Sequence, residues 1–377
     1  MTTTAATADT LGSADQTAVD AIVATLVHHL RKDHPRPSHK DPARRDAHPK
    51  HHGCVEATLE IRDDIPDDLR QGLFATKGRY HAWVRFSNAL KVRHDLDLDA
   101  RGMAIKVMGV EGATHGEETQ DFLLVTHKVF FSRTPADFVD FPAAVSVKPS
   151  MGLGARTIGF FFGVRPFRFK LRGFIALFRS MNWSTSPLVR TYFSQTPYWY
   201  GSSAAKFRAR PRQRARPDQW LLLWVRLVLY WIKSMVRVSD KRWERVLRDN
   251  LLAYLRTREA VFDIEVQLHS DGMPLDDALV PWRTSQSPYR KVATLRIMKL
   301  PDPDIKTMTD FGEHLSFTPW HGLAAHRPLG SINLARRRVY DAISALRHGL
   351  NEVKRLEPRV GESQLEYLAR VGQRRNH

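Results

Sequence analysis

The chain has 377 residues, 42% of them hydrophobic, and is therefore long enough to bury a large core as one domain or as two. Its single cysteine, Cys54, excludes an internal disulfide and a multi-cysteine metal site. The 58 lysines and arginines exceed the 40 acidic residues by 18, which predicts an anionic partner: a carboxylate-bearing ligand, an anionic lipid surface or a nucleic acid.

Residues 1–40 are predicted to form a disordered lead followed by one short helix. The lead lacks the basic and apolar regions of a secretory signal, so we expect a cytoplasmic protein. Whether it also sits at the inner face of the membrane is left open. Apolar residues spaced by four predict a helix from Ala18 to Leu30.

Alternating apolar and polar residues predict several antiparallel strands, separated by charged or turn-forming residues. The runs cover residues 55–61, 82–86, 103–107, 261–268 and 291–297. Strands followed by a helical C-terminus indicate an α+β chain. Alternation alone does not distinguish a closed barrel from a sandwich.

Residues from about 150 to 255 are interpreted as a helical insertion in which basic residues alternate with long apolar runs. Aromatic and apolar residues with arginine and lysine at the edges are typical of an interfacial membrane helix. The run 220–237 has Arg226 in its middle and is shorter than the roughly twenty residues that a bilayer requires. Peripheral contact with an anionic membrane, a buried core helix and a homo-oligomer interface all remain open.

The run 207–217 is rich in arginine and broken by proline, and it predicts a solvated loop. No nucleic-acid-binding motif accompanies these basic residues. We therefore expect no nucleic-acid partner.

A stripe of apolar residues predicts an amphipathic helix near the C-terminus. Its members are Ile332, Ala335, Val339, Ile343 and Leu346. Ser331 is the predicted N-cap, and Gly349 is predicted to follow the last turn. On this helix Arg336, Tyr340 and Arg347 share one side. A guanidinium one turn from a phenol stabilises the phenolate that can bind iron, although such a pair can equally be a half-buried tyrosine beside a solvated arginine.

The spacing of Arg336, Tyr340 and Arg347 resembles the haem-ligand pattern R-x-x-x-Y-x6-R of catalase-like haem proteins. The resemblance is strongest to small bacterial catalase-related proteins that are also similar to allene oxide synthase. Further segments match the family in the same order: residues 45–53 (R-x-x-H-x-K-x-x-G), 83–87 (R-F-S), 99–106 (D-x-R-G-x-A-x-K), 121–138 (F-F-x-R and a later Phe) and 194–206 (Q-x-P-x-x-x-G-x-x-A-x-K).

The resemblance implies a fold and a domain plan. The fold is α+β, a closed antiparallel β-barrel of the catalase type with surrounding and C-terminal α-helices. The haem domain would span residues 41–350, interrupted by the insertion, and residues 351–377 would form a tail.

The same resemblance implies the cofactor and its ligands. The cofactor would be haem, of the b type, with iron ligated by Tyr340 and with Arg336 as the partner of the phenolate. Arg45, Arg85 and Arg347 match the positions that bind the haem propionates, although each could instead be a surface arginine. The segment that binds a nucleotide in large catalases is not recognisable, so no NADPH is expected.

On the distal side, His48 matches the histidine that moves protons on a peroxide substrate, a task that suits an imidazole. Ser87 matches the serine that orients this ring. Phe131 and Phe138 match aromatic positions that line the distal pocket; on their own they would be interpreted as core residues.

Two alternatives exist for the histidine-rich tract that holds His48, His51, His52 and Cys54. Four such side chains within seven positions could bind zinc, although no matching ligand pair stands elsewhere in the chain. The tract could also be a loop without any ligand.

One departure from the family bears on activity. Typical catalases place an asparagine on the distal side, where this chain has Val125 and Thr126. Thr126 could donate one hydrogen bond and is the remaining catalytic candidate, but rapid disproportionation of hydrogen peroxide is not expected.

The predicted function is a haem-dependent oxidoreductase that acts on hydrogen peroxide or on an organic or lipid hydroperoxide, as a catalase, a peroxidase or a hydroperoxide isomerase. The alternative is a non-catalytic haem-binding or peripheral membrane protein that retains the catalase fold.

Overall fold

A computed structural model describes residues 10–38, 42–45, 48–89, 95, 99–114, 117–139, 175–176, 179–214, 221, 224–225, 228 and 244–372. The strands within these residues are β1 (His51–Ile61), β2 (Gly78–Asn88), β3 (Arg101–Met108), β4 (Thr119–Val125), β5 (Tyr192–Phe193), β6 (Tyr198–Tyr200), β7 (Ser203–Pro211), β8 (Ala260–Leu268) and β9 (Arg290–Ile297). The helices are α1 (Ser13–Asp33), α2 (Pro135–Phe138), α3 (Val246–Leu255), α4 (Ile305–His314), α5 (Ser331–Leu350) and α6 (Gln364–Gly372).

Eight of the strands form a closed antiparallel barrel in the order β5, β4, β3, β2, β1, β9, β8 and β7. The short strand β5 closes the ring because it pairs with β4 on one side and with β7 on the other. Strand β6 lies outside the ring, in a hairpin with β7. The predicted α+β fold with a closed antiparallel barrel is confirmed.

The barrel interior is filled by apolar side chains from alternate positions of each strand, such as Val84 and Phe86 on β2 and Ile105 on β3. Burying one such side chain stabilises the fold by about 1.5–3 kcal/mol. The outward positions next to them are also covered: Trp83 packs against Phe311 of α4. At these positions both faces of the strands are therefore covered.

All five predicted strands are confirmed, and the predicted helix from Ala18 to Leu30 lies within the longer α1. Residues 1–9 lie outside the described residues. Residues 351–377, interpreted as a tail, include α6, which packs on α4 through Tyr367 and Phe311. None of the helices in the described part of the chain is long and apolar enough to cross a bilayer.

The prediction of a solvated loop over residues 207–217 is wrong for its first five residues, which belong to β7. Phe207 faces the barrel interior. Arg208 and Arg210 face outward and bind the Glu265 carboxylate of the neighbouring β8 at 2.5 and 3.0 Å. The charges of these two arginines are therefore compensated across the sheet, which the local sequence does not reveal.

The predicted helical insertion at about 150–255 contains barrel strands β5 to β7 and helix α3, so part of it belongs to the barrel. Residues 150–174, 177–178, 215–220, 222–223, 226–227 and 229–243 of this region lie outside the described residues.

Helix α5 is confirmed, but both of its predicted ends are wrong. Gly330, with φ +87°, is the N-cap, and Ser331 already belongs to the helix. The backbone N–H of Ser331 donates to Asp276 Oδ1 at 2.6 Å, which replaces a cap from the serine side chain. At the other end the helix continues past Gly349 and ends before Asn351.

Candidate functional site

A cavity of about 380 Å³ lies between helix α5 and the outer face of strands β2, β3 and β4. This volume is within the range of cofactor sites, about 300–1,000 Å³. The strands contribute outward positions such as Ser87 and Ala104, and α1 adds Ile22 and Leu26. The first four residues of the apolar stripe of α5, from Ile332 to Ile343, also line the cavity. The stripe therefore does not pack only against other side chains of the core.

Nine of the ten predicted site residues line this cavity, although they come from distant parts of the chain. They are Arg45, His48, Arg85, Ser87, Phe131, Phe138, Arg336, Tyr340 and Arg347. Thr126 is not among the lining residues.

His48 lies just before β1 and has a left-handed backbone with φ +58°, a conformation that costs free energy and is concentrated at functional sites. Its backbone N–H donates to the carbonyl of Ala89 at 3.1 Å. Its ring Nδ1 is 2.9 Å from Ser87 Oγ, as predicted. This contact fixes the ring and leaves Nε2 as the nitrogen not used in the bond.

The charge state of His48 is set by its surroundings. Burial, followed by the positive charges of Arg85, Arg336 and Arg45, lowers the pKa of His48 to about 3. The imidazole is therefore neutral at physiological pH and can accept a proton.

Gly102 on β3 lies directly against the His48 ring. A Cβ atom at this position would be 2.6 Å from His48 Nδ1 and Cε1, and 2.8 Å from Ser87 Oγ. Carbon atoms in contact are normally about 3.5–4.0 Å apart. Only glycine therefore permits the observed contact between the histidine and the serine.

Three arginines from different segments meet at one end of the cavity: Arg85 and Arg347 are buried, and Arg45 is half-buried. Arg85 donates to the carbonyl of His48 at 3.0 Å and contacts Glu313 Oε1 at 3.3 Å. Arg45 donates to the carbonyls of Gly312 and Leu315, and Arg347 donates to the carbonyl of Glu313. These contacts fix each guanidinium group against the backbone around α4.

Glu313 is the only carboxylate that the described residues place among these three arginines, so the cluster has an excess of two positive charges. Burial lowers the pKa of Arg85 to about 10 and that of Arg347 to about 9, and in both cases the charge of Arg45 adds to the effect. Burial alone would raise the pKa of Glu313, but the arginines and His51 outweigh it and lower that pKa to about 2. The site is therefore suited to a ligand with two negative charges.

Arg336 and Tyr340 lie one turn apart on α5, and the guanidinium carbon is 5.5 Å from the centre of the phenol ring. Arg336 donates to Asn333 Oδ1 at 3.0 Å and to Thr196 Oγ1 at 3.4 Å, which are both neutral acceptors. In the described part of the chain no carboxylate forms an ion pair with Arg336. Burial acts to lower the pKa of Arg336, but the phenols of Tyr340 and Tyr198 outweigh it and raise that pKa.

No protein-family model and no curated protein matches the sequence, but solved structures match the fold. A fungal catalase has a TM-score of 0.62 at 18% identity, over 85% of this chain and 61% of its own. Catalase A from Saccharomyces cerevisiae has a TM-score of 0.61 at 17% identity, over 82% of this chain and 61% of its own. The fold is that of the catalases.

A bacterial catalase gives a similar match, with a TM-score of 0.60 at 15% identity over 93% of this chain and 63% of its own. The chain thus spans about three fifths of the length of the catalases that it matches. The resemblance stated from the motifs is confirmed for the catalase-type fold.

Within this catalase-type fold, Thr126 is not placed where the sequence predicts it. Its Oγ accepts hydrogen bonds from the backbone N–H of Arg101 at 3.1 Å and from Asn182 Nδ2 at 3.0 Å. Val125 lines the cavity instead, because successive side chains at the end of β4 point in opposite directions. The wall at this point is apolar.

The zinc hypothesis for the histidine tract is not supported by the geometry. His51, His52 and Cys54 belong to β1, so they do not form a loop. His52 Nε2 is 2.8 Å from Asn88 Oδ1. Cys54 packs in an apolar cluster with Trp83 and Phe311, and burial raises the pKa of its thiol to about 12.

Within the described ranges, one other group has metal-ligand spacing: Glu117, His321 and Glu357. Lys106 Nζ is 2.8 Å from a Glu357 oxygen, and Arg355 is 3.0 Å from Glu117. These two cations already neutralise the carboxylates, which gives the group the composition of a buried ion-pair network rather than a metal centre.

Sequence reasoning misses Gly102, Glu313 and the side of α1 that faces the cavity. Gly102 has a local signal, because it stands in the matched segment 99–106. Glu313 has none, since only the fold brings it among the three arginines.

Proposed function

We propose that this protein is a haem-dependent oxidoreductase that metabolises peroxides and uses Tyr340 as the iron ligand. The observation that carries this proposal is the half-buried Arg336 guanidinium beside Tyr340, whose hydrogen bonds to Asn333 and Thr196 are to neutral acceptors. A charge that is partly removed from water and has no counter-charge is costly. A phenolate on Tyr340 supplies the counter-charge, and it is also a strong ligand for ferric iron.

The arginine cluster supports haem in particular. The two propionates of haem carry two negative charges, which equals the excess at Arg45, Arg85, Arg347 and Glu313. Planar guanidinium groups bind carboxylates through paired N–H donors. The apolar stripe of α5 then provides a flat surface for the ring.

When bound, haem supplies the redox chemistry of peroxide O–O cleavage, and the chain supplies the proton transfer. Neutral His48 accepts the proton of the incoming hydroperoxide at its free ring nitrogen and returns it to the departing oxygen. Ser87 holds the ring through Nδ1, so the same nitrogen faces the substrate in both steps.

The apolar wall favours an organic or lipid hydroperoxide over hydrogen peroxide. Val125, Phe131 and Phe138 line the cavity, and Val125 stands where an amide would hold a second peroxide oxygen. An apolar wall stabilises a hydrocarbon tail but does not orient hydrogen peroxide. We therefore propose peroxidase or isomerase turnover rather than fast catalase turnover.

The same valine also favours a second candidate, a haem-binding protein without turnover. The two candidates share the cofactor and differ only in catalysis.

The test is to load the purified protein with haem and compare two substrates. Oxygen release from hydrogen peroxide is expected to be slow, while consumption of an apolar hydroperoxide such as cumene hydroperoxide is expected to be fast. If the protein binds haem but consumes neither peroxide, the proposed enzyme activity is refuted and the haem-binding candidate is supported. Failure to bind haem would refute both candidates.

A further inference from the structure

The positive charge of the protein is concentrated in one part of the sequence. Residues 141–239 contain 17 lysines and arginines and one acidic residue, Asp218, and so carry a net charge of +16 out of the total of +18. The cavity cluster around Glu313 is outside this range. Arg208, Arg210 and Arg212 of this range pair with Asp263 and Glu265 of β8, and the proposed haem site does not account for the rest of its positive charge.

An apolar helical face is exposed within the same range. Leu221, Trp224, Val225 and Val228 have the i, i+3, i+4 and i+7 spacing of a single helix side, and all four residues are helical. Their exposed fractions are 67%, 59%, 48% and 55%. We call these four residues the apolar face. Clustered exposure of large apolar residues marks an interaction site.

The apolar face lies next to the wall of the cavity. The Trp224 ring packs edge-on against Trp183, with centroids 6.5 Å apart. Ser180 and Met181, three and two residues before Trp183, line the cavity. A partner bound to the apolar face would therefore be close to the candidate substrate site.

We propose that the apolar face docks onto the surface of an anionic lipid bilayer. Apolar and aromatic side chains enter the interface, while lysines and arginines of the basic range 141–239 bind the acidic headgroups. A second copy of the chain is a poor occupant, because it would bring a second strongly basic segment against the first. A nucleic acid would match the charge but would leave the apolar face exposed to water.

The experiment measures co-sedimentation of the full-length protein with lipid vesicles. Vesicles that contain phosphatidylglycerol are expected to bind at least about tenfold more protein than vesicles of pure phosphatidylcholine, and high salt should weaken this binding. The variant Leu221→Ser/Val225→Ser keeps Trp224 against Trp183 and is expected to lose about tenfold in vesicle affinity. Its melting temperature is expected to match that of the wild type.

The matched control is Val360→Ser/Leu365→Ser, which removes two apolar side chains of similar exposure, 61% and 65%, from another part of the surface. The control is expected to bind vesicles as the wild type does. The proposal is overturned if the wild type ignores anionic vesicles or if both double variants bind equally well. It is also overturned if the protein binds duplex DNA but not vesicles, or if the Leu221→Ser/Val225→Ser variant only dissociates a dimer.

Discussion

Replacing Gly102 by alanine should disable the proton-transfer pair while leaving the rest of the site in place. The new Cβ would lie 2.6 Å from two atoms of the His48 ring and 2.8 Å from Ser87 Oγ. Normal contact needs about 3.5 Å, so the ring or the hydroxyl must move by about 1 Å. The backbone of His48 is fixed by its bond to Ala89, so the side chain must give way and the 2.9 Å contact with Ser87 is lost.

The size of the effect follows from the role of the ring. A displacement of about 1 Å in a catalytic group can lower the rate about 100-fold, and loss of general acid–base catalysis costs about 10²–10⁴-fold. Overpacking should also destabilise the fold by about 1–3 kcal/mol. Tyr340 and the arginine cluster are not touched, so haem binding should persist.

The assay is consumption of an apolar hydroperoxide per bound haem, with the haem spectrum and the melting temperature measured in parallel. Gly53→Ala is the matched control, because its Cβ would crowd Leu251 and Met308, at 3.0 and 3.3 Å, and not His48. It should lose stability but retain turnover. If Gly102→Ala binds haem and turns over like the wild type, the proposed positioning of His48 is refuted.

Three further predictions concern neighbouring residues. His48→Ala should keep haem but lose peroxide turnover by roughly a hundredfold or more, and unchanged turnover would assign the proton transfer to another group. Thr126→Val should lower the free energy of unfolding by about 1–3 kcal/mol, because the Arg101 N–H and the Asn182 amide lose their acceptor, while turnover per haem should not change; a loss of turnover at full haem occupancy would restore Thr126 as a catalytic residue. The low pKa of Glu313, about 2 against an ordinary 4.5, stabilises the fold fully above about pH 4.5, and this stabilisation is lost as the pH falls towards 2. The free energy of unfolding of the haem-free protein, measured in urea, should therefore fall by about 2 kcal/mol more in the wild type than in Glu313→Gln when the pH is lowered from about 6 to about 3. Equal decreases in the two proteins would contradict the charge assigned to Glu313.

The sequence predicts those parts of the fold whose signals are local. Alternation identifies β1, β2, β3, β8 and β9, and the apolar stripe identifies α5, because each pattern depends only on which side chains face one surface. The spacing of Arg336 and Tyr340 on one helix side is likewise a local property. These features need no knowledge of what packs against them.

The missed features depend on contacts between distant segments. The arginine-rich sequence at the end of β7 predicts a loop, because the pairing of Arg208 and Arg210 with Glu265 on β8 is visible only in the folded structure. Thr126 and Val125 are adjacent, and only the orientation of β4 decides which one faces the cavity. Glu313 becomes part of the site because α4 carries it to the arginines.

The central claim, that Tyr340 binds haem iron as a phenolate, is tested most directly by the absorption and resonance Raman spectra of haem-loaded protein. Tyr198→Phe is the matched control, because Tyr198 is a buried phenol that also interacts with Arg336. The wild type and Tyr198→Phe are predicted to show a high-spin spectrum with tyrosinate vibrations, and Tyr340→Phe is predicted to lose them together with most of the haem. An unchanged spectrum in Tyr340→Phe would contradict the account.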